Sequence, residues 1–75
     1  MNEKLIFDFS NLEGKIKQYY DTHDNFCKKI PMSRATLSQK LNNKIYFSAD
    51  NIWKISKLLN ISIGEIGDIF FKEKV

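Results

Sequence analysis

The stretch from Thr22 to Asn42 most restricts the fold of this chain, because two apolar patterns of helical period flank a proline. The inward positions of each pattern are apolar and share one helix face. They are Phe26, Cys27 and Ile30 in the first pattern and Leu37 and Leu41 in the second. Pro31 cannot continue a helix, since its ring fixes φ and removes the amide donor. The stretch therefore predicts two short helices joined by a tight turn at Ile30-Pro31-Met32.

The outward face of the second of these helices, predicted over residues 33–42, differs from an ordinary solvent-facing surface. Its side chains are small or hydrogen-bonding rather than a mixture of Glu and Lys. They are Arg34, Ala35, Ser38 and Gln39, with Lys40 at the flank. A helix with an apolar back and a small, polar and cationic front fits the major groove of DNA.

Serine residues mark the starts of the other helices. Apolar residues bracket each of three serines in the spacing of a hydrophobic staple: Met32-Ser33…Leu37, Phe47-Ser48…Ile52 and Ile61-Ser62…Ile66. Glu13 after Ser10 and Glu65 after Ser62 further predict two capping boxes. We expect five helices: one from Ser10, one capped by Thr22, and three over residues 33–42, 49–60 and 63–71.

The chain of 75 residues is long enough for one small all-α core and therefore for one domain, residues 1–75. The expected inward positions are Leu12, Ile16 and either Tyr19 or Tyr20 in the first helix, Ile52, Ile55 and Leu59 in the fourth, and Ile66, Ile69 and Phe70 in the fifth. Gly14 predicts close approach of a neighbouring helix. Residues 1–9 predict an arm or short strand that places Phe7 and Phe9 over the core, and residues 72–75 are expected to fray.

The chain resembles the helix-turn-helix of the Cro/CI type of phage repressors. The matching residues are Cys27, Met32 and the run Ser33-Arg34-x-Thr36-Leu37-Ser38-x-Lys40-Leu41-Asn42, within a likeness that spans residues 10–66. The opening Phe9-Ser10-x-Leu12-x-Gly14-Lys15-Ile16 is similar to the small Cro-like phage proteins. The resemblance implies a compact five-helix, lambda-repressor-like DNA-binding domain that acts as a transcriptional regulator. This family usually has Gly in the turn, so Pro31 predicts a different turn geometry.

Base contacts are expected from the third helix. Arg34 can bind guanine O6 and N7 together, or contact phosphate alone. The resemblance places a base-contacting glutamine at Gln39, whose amide matches adenine N6 and N7. Ala35 offers a methyl group to thymine, while Thr36 and Ser38 can reach a base edge or a phosphate. For these last three, an ordinary exposed helix position is an equally good interpretation.

Phosphate contacts are expected on both sides of the third helix. They are Thr22, His23, Ser33, Lys40, Asn42, Asn43 and Lys44. His23 stands where unpaired amides at a helix start favour an anion, and the family usually has Gln there. Asn43 also suits the left-handed position that ends many helices.

The charge distribution agrees with a phosphate-binding surface around the third helix but does not distinguish it from an ordinary basic face. Net charge is +3, and residues 10–47 hold seven basic and three acidic side chains, whereas residues 48–75 hold four of each. A phosphate-binding surface and an ordinary solvated basic face both fit this asymmetry.

Other classes of function find little support in the sequence. His23 and Cys27 are four apart, but the chain has no second His or Cys to complete a metal site, and no catalytic set or cofactor motif is present. We therefore expect no enzyme activity, metal or cofactor. With no membrane-spanning run or signal sequence, the expected location is the cytoplasm of a bacterial host, at the nucleoid. The expected partner is a double-stranded DNA operator bound by a homodimer, with half-sites about 34 Å apart. The alternative is a protein-interaction modulator that binds a partner repressor through the same fold.

Overall fold

The computed structural model describes residues 5–74 and confirms the predicted all-α class. Its helices are α1 (Ser10–Tyr20), α2 (His23–Lys29), α3 (Arg34–Leu41), α4 (Ala49–Leu58) and α5 (Ile66–Phe70), and a 3₁₀ turn, Ile63–Glu65, precedes α5. Residues 1–4 of the predicted arm and Val75 of the predicted tail lie outside the described residues. The predicted fifth helix is therefore a 3₁₀ turn followed by a shorter α-helix.

One apolar core joins the helices. Its buried members are Phe9, Leu12, Ile16, Phe26, Ile30, Leu37, Ile55, Leu59, Ile61, Ile69 and Phe70. Four predicted inward residues pack against this core but are only partly buried: Cys27, Leu41, Ile52 and Ile66. Tyr20 packs against the core, whereas Tyr19 is exposed, which resolves the alternative that the sequence left open.

The helix starts were predicted correctly where a hydroxyl lies one residue before the helix. The hydroxyl of Thr22 accepts from the amide of Asn25 at 3.1 Å, and that of Ser48 accepts from the amide of Asn51 at 3.0 Å. Glu65 accepts from the amide of Ser62 at 3.0 Å. These bonds satisfy amide groups that the helix itself leaves unpaired.

The predicted capping box at Ser10 is wrong. Ser10 lies inside α1, and its amide donates to Asp8 Oδ1 at 2.9 Å, while its hydroxyl donates to the same oxygen. α1 begins one residue earlier than predicted, with Phe9 at the cap position, so the amide of Glu13 donates to the carbonyl of Phe9 at 2.9 Å and not to the hydroxyl of Ser10. The hydrogen bonds from Ser10 hold the pKa of Asp8 below its ordinary value, the side-chain bond having the larger effect.

The turn between α2 and α3 is closed around Pro31. Ile30 is extended, with φ −104° and ψ 132°, as expected before a proline. The amide of Met32 donates to the carbonyl of Ile30 at 2.6 Å, which is the hydrogen bond of a γ-turn with proline at its centre. Positive φ among the described residues occurs only at Asp21, Asn43 and Asn60. The turn thus needs no glycine, and the prediction of a different turn geometry is confirmed.

The chain ends form a small antiparallel pairing. The amide of Asp8 donates to the carbonyl of Lys72 at 2.7 Å, and the amide of Lys74 donates to the carbonyl of Ile6 at 2.8 Å. Phe7 and Glu73 form an isolated β-bridge between these bonds. The prediction that the tail frays is therefore wrong for residues 72–74, because the arm supplies partners for their backbone groups.

The packing expected at Gly14 is absent from the described part of the chain. A Cβ atom added there would meet no atom within 4 Å. The expectation of a closely approaching helix is wrong, and Gly14 occupies an open position of α1.

Candidate nucleic-acid interface

The outward face of α3 is centred on Gln39. Leu37 is fully buried, and successive residues of a helix are about 100° apart, so Gln39 points almost directly away from the core. Ala35 lies one turn before Gln39 on the same face, and both are exposed. Among residues 5–74, Gln39 makes no side-chain hydrogen bond. This face presents an available amide beside a methyl group.

Arg34 lies away from this face, so the expectation that Arg34 and Gln39 share one outward face of α3 is wrong. It is the first residue of α3 and lies on the side of Leu41, about 140° around the helix axis from Gln39. Its Nε lies 3.2 Å from Asp24 Oδ1 on α2, and both side chains are largely exposed. Arg34 is the first residue of α3 and Gln39 lies in its last turn, so the two side chains would reach different parts of a target.

A cleft of about 460 Å³ adjoins Arg34 and the start of α2. Its lining includes His23, whose Nε2 lies 3.2 Å from Glu13 Oε1 on α1. Arg34 and His23, two of the basic residues of the cleft, therefore each face a carboxylate. A phosphate that approaches His23 or Arg34 must compete with Glu13 or Asp24 for its hydrogen bonds.

The cap of α3 uses the hydroxyls of Ser33 and Thr36. Ser33 Oγ accepts from the amide of Thr36 at 3.0 Å and donates to Thr36 Oγ1 at 2.9 Å. Ser38 is half-buried, and its hydroxyl accepts from the exposed amide group of Asn42 at 3.3 Å. Thr36 and Ser38 are thus less available to a base than Ala35 and Gln39.

Asn43 ends α3 in the left-handed conformation that the sequence predicts, with φ 63°. Its side chain also forms two hydrogen bonds with the backbone of the arm. Asn43 Oδ1 accepts from the amide of Phe7 at 2.8 Å, and its Nδ2 donates to the carbonyl of Phe7 at 3.0 Å. A phosphate contact by this side chain, as expected from the sequence, would break the bonds that hold the arm.

The ammonium group of Lys40 also has partners within the protein. Its Nζ donates to Asn51 Oδ1 at 2.7 Å and to the carbonyl of Tyr46 at 3.2 Å, and it lies 5.8 Å from the centre of the Phe47 ring. These contacts attach α3 to the start of α4. Lys44, in contrast, is exposed and uses only its backbone amide, which donates to Gln39 at 2.9 Å.

Asp24 and Glu13 were not predicted from the sequence as the partners of Arg34 and His23. Asp24 precedes Arg34 by ten residues, and only the arrangement of α2 against α3 brings them together. Sequence spacing therefore gave no indication of this pair. Cys27 lies nearby and is half-buried, and desolvation raises the pKa of its thiol. The thiol stays protonated, as suits a packing residue.

Two features are absent from residues 5–74. No group of three or more His, Cys, Asp or Glu side chains is arranged to hold a metal ion. Within the same residues, no helix has the length and apolar character needed to cross a membrane.

A family model described as "Protein of unknown function (DUF739)" matches residues 5–73. The chain belongs to the DUF739 family. Comparison with curated proteins gives no significant match. The match spans the arm, all five helices and the paired tail up to Glu73, so the arm–tail pairing lies within the DUF739 region.

In this DUF739 protein the predicted site residues fall into two groups. The first is exposed on or beside α3: Arg34, Ala35, Gln39, Asn42 and Lys44. The second consists of half-buried residues and of the two hydroxyl residues that cap α2 and α3: Thr22, His23, Ser33, Thr36, Ser38, Lys40 and Asn43. A surface for nucleic acid would be built mainly from the first group.

Proposed function

We propose that this DUF739 protein is a sequence-specific DNA-binding transcriptional regulator of the phage Cro/repressor type. The observation that supports it is the division of α3 into a buried apolar side at Leu37 and an exposed polar side centred on Gln39. Such a helix can enter the major groove with its amino-terminal end towards the bases. The resemblance to Cro/CI regulators supports the same function.

The proposed contacts follow the availability of each side chain. Arg34 binds guanine, Gln39 binds adenine and Ala35 touches a thymine methyl group, with Thr36 and Ser38 as secondary base contacts. The phosphate contacts are Thr22, His23, Ser33, Asn42 and Lys44. Lys40 and Asn43 are not included, because both are half-buried and their side chains join α3 to other segments, at Asn51 and Phe7.

The protein acts as a binding module in this proposal, without enzymatic activity or a cofactor. It works in the cytoplasm of a bacterial host, at the nucleoid. Two copies bind half-sites about one helical turn, or 34 Å, apart. The self-contact proposed for them uses the apolar side chains beside the arm: Leu5, Tyr46 and Phe71, which are 55%, 52% and 52% exposed.

Selection of bound sequences from a random duplex pool tests this proposal. Repeating the selection at about 50 and 200 mM salt should recover one two-fold-related motif, and affinity should fall with a slope near −0.9 per neutralised phosphate. Arg34→Ala should then relax preference at one base position, at a cost of about 1–3 kcal/mol. The matched control is Lys57→Ala, which removes a cation from α4 outside the interface. Recovery of no motif, or equal effects of the two variants, would contradict the proposal.

A second candidate function is a modulator that binds a partner repressor. The contacts of Arg34 with Asp24 and of His23 with Glu13 favour it, because basic side chains beside carboxylates attract phosphate less strongly. Binding through apolar area would show little dependence on salt, in contrast to a DNA complex. The salt series above therefore separates the two functions.

A further inference from the structure

Trp53 forms an exposed aromatic surface away from α3. It is the only tryptophan of the chain and lies on α4, where 59% of it is exposed. The Nζ atom of Lys57 lies 4.3 Å from the centre of its ring. This cation–π contact favours one orientation of the ring, so the indole is already arranged as a contact surface before any partner binds.

Trp53 forms one wall of a groove of about 360 Å³. The groove lies between α4 and the turn after α2, and its lining is apolar at the floor and basic at the rim: Lys29, Ile30, Pro31, Trp53, Lys54, Lys57 and Leu58. Three of these residues are lysines, and no acidic residue contributes to the lining within residues 5–74. One lysine, Lys54, is paired with Asp50 at 3.1 Å. Lys29 and Lys57 remain as cations without a carboxylate partner among the described residues.

We propose that this groove binds an acidic segment of a partner protein. An apolar side chain of the segment packs on Trp53 and Leu58, and its carboxylates face Lys29 and Lys57. Tryptophan is enriched among the residues that contribute most to protein interfaces, because it buries a large area. The basic rim supplies charge complementarity, which selects acidic partners and speeds their association.

The apolar floor favours a protein partner over nucleic acid. A phosphate backbone would pair with the lysines but would leave Leu58 and Pro31 uncovered. A segment that combines carboxylates with an apolar side chain satisfies both parts of the groove. The groove shares no residue with the interface proposed for α3, and neither proposal depends on the other.

The test uses labelled short peptides and the whole protein. The first peptide alternates acidic residues with Leu and Phe, the second replaces every acid by its amide, and the third is poly-glutamate of equal length. A mixed-sequence DNA duplex is the fourth probe. Peptide anisotropy measures affinity, while the emission of Trp53 reports on the groove directly. We expect the first peptide to bind at least about tenfold more tightly than the second and third, with a change in Trp53 emission.

Substitutions locate the binding. Lys57→Glu and Trp53→Ala should each weaken the first peptide by about tenfold or more, whereas Lys17→Glu, the same charge change on α1, and Arg34→Ala should leave it unchanged. All four side chains are exposed, and far-ultraviolet circular dichroism with thermal unfolding checks that each variant folds. The proposal is overturned if the first peptide does not bind, or if Lys57→Glu binds it as the wild type does. It is overturned equally if the duplex, rather than the peptide, changes Trp53 emission.

Discussion

The two ends of α3 use similar polar residues for different purposes. At the amino-terminal end, Arg34 meets Asp24 in a largely exposed ion pair. At the carboxy-terminal end, Lys40 and Asn43 form hydrogen bonds with residues far along the chain in half-buried surroundings. Exposed ion pairs contribute about 0–1 kcal/mol, whereas unsatisfied partly buried groups cost about 1–3 kcal/mol. The first end is therefore available for binding, and the second end holds the fold together.

Removing the side chain of Asn43 gives the largest expected effect. Asn43→Ala loses two hydrogen bonds to Phe7 and places a residue with a Cβ at positive φ without a compensating amide. We expect a loss of about 3 kcal/mol in the free energy of unfolding, measured by urea denaturation. Asn43→Gly, which tolerates the same φ, should lose less. The control Asn42→Ala changes an exposed neighbour and should cost under about 0.5 kcal/mol. Equal losses at positions 42 and 43 would mean that the side chain of Asn43 contributes no more to stability than that of its exposed neighbour.

Replacing Lys40 or Lys44 by methionine separates an effect on stability from an effect on DNA binding. Lys40→Met should lower the free energy of unfolding by about 1–2 kcal/mol, because Asn51 and the Tyr46 carbonyl lose their donor. Lys44→Met should leave stability nearly unchanged and lower affinity for every DNA sequence alike, with the salt slope reduced by about 1. Chemical denaturation and DNA titration of both variants provide the two measurements. The reverse pattern would mean that Lys40 and not Lys44 contacts phosphate.

Asp24 on α2 faces Arg34 at the amino-terminal end of α3. Asp24→Asn should change the free energy of unfolding little and the affinity for DNA more. The exposed ion pair contributes under about 1 kcal/mol, so the unfolding curve should shift by no more than that. Loss of a carboxylate next to the proposed interface should raise DNA affinity several-fold and weaken its dependence on the base that faces Arg34. Affinity can be measured by anisotropy on the selected duplex and on a single-base variant of it. A large stability loss would show that Asp24 holds α2 and α3 together.

The smallest expected effect is on the pH dependence of the free energy of unfolding, through Asp8 in the arm. The hydrogen bonds from Ser10 lower the pKa of Asp8 in the folded protein below its ordinary value of 3.8. The ionised carboxylate therefore stabilises the fold above about pH 4, and this contribution is lost as pH falls through the lowered pKa. Asp8→Asn should flatten the pH dependence of unfolding in this acid range. Glu65, whose pKa is also lowered, mainly by its bond from the Ser62 amide, provides a parallel control through Glu65→Gln. No difference between Asp8→Asn and wild type would mean that the hydrogen bonds from Ser10 to Asp8 do not stabilise the fold.

Features fixed by neighbouring residues were predictable from the sequence. The caps at Thr22, Ser33 and Ser48 depend on an amide three residues away, and the left-handed position of Asn43 depends on its own backbone preference. The five helices and most of their inward positions follow from the period of the apolar residues. The predicted Ser10 cap is wrong because α1 starts one residue earlier, where the carbonyl of Phe9 already accepts from the amide of Glu13.

Features that join distant segments were not predictable from spacing alone. Phe7 and Asn43 are separated by 36 residues, and nothing in either segment shows that they meet. The same holds for the pairing of the arm with residues 72–74 and for the Arg34–Asp24 contact. Residue type alone also assigned Lys40 and Asn43 to phosphate, because an exposed and a half-buried lysine look alike in a sequence.

The proline-centred turn has a consequence for how α3 meets any target. Pro31 limits the conformations of the unfolded chain, so forming the turn loses less entropy than a glycine turn would. Ile30 is likewise restricted by the ring that follows it. The direction of α3 relative to α2 is therefore largely established within a single copy, and a binding partner has to match that direction because the turn offers little freedom to adjust.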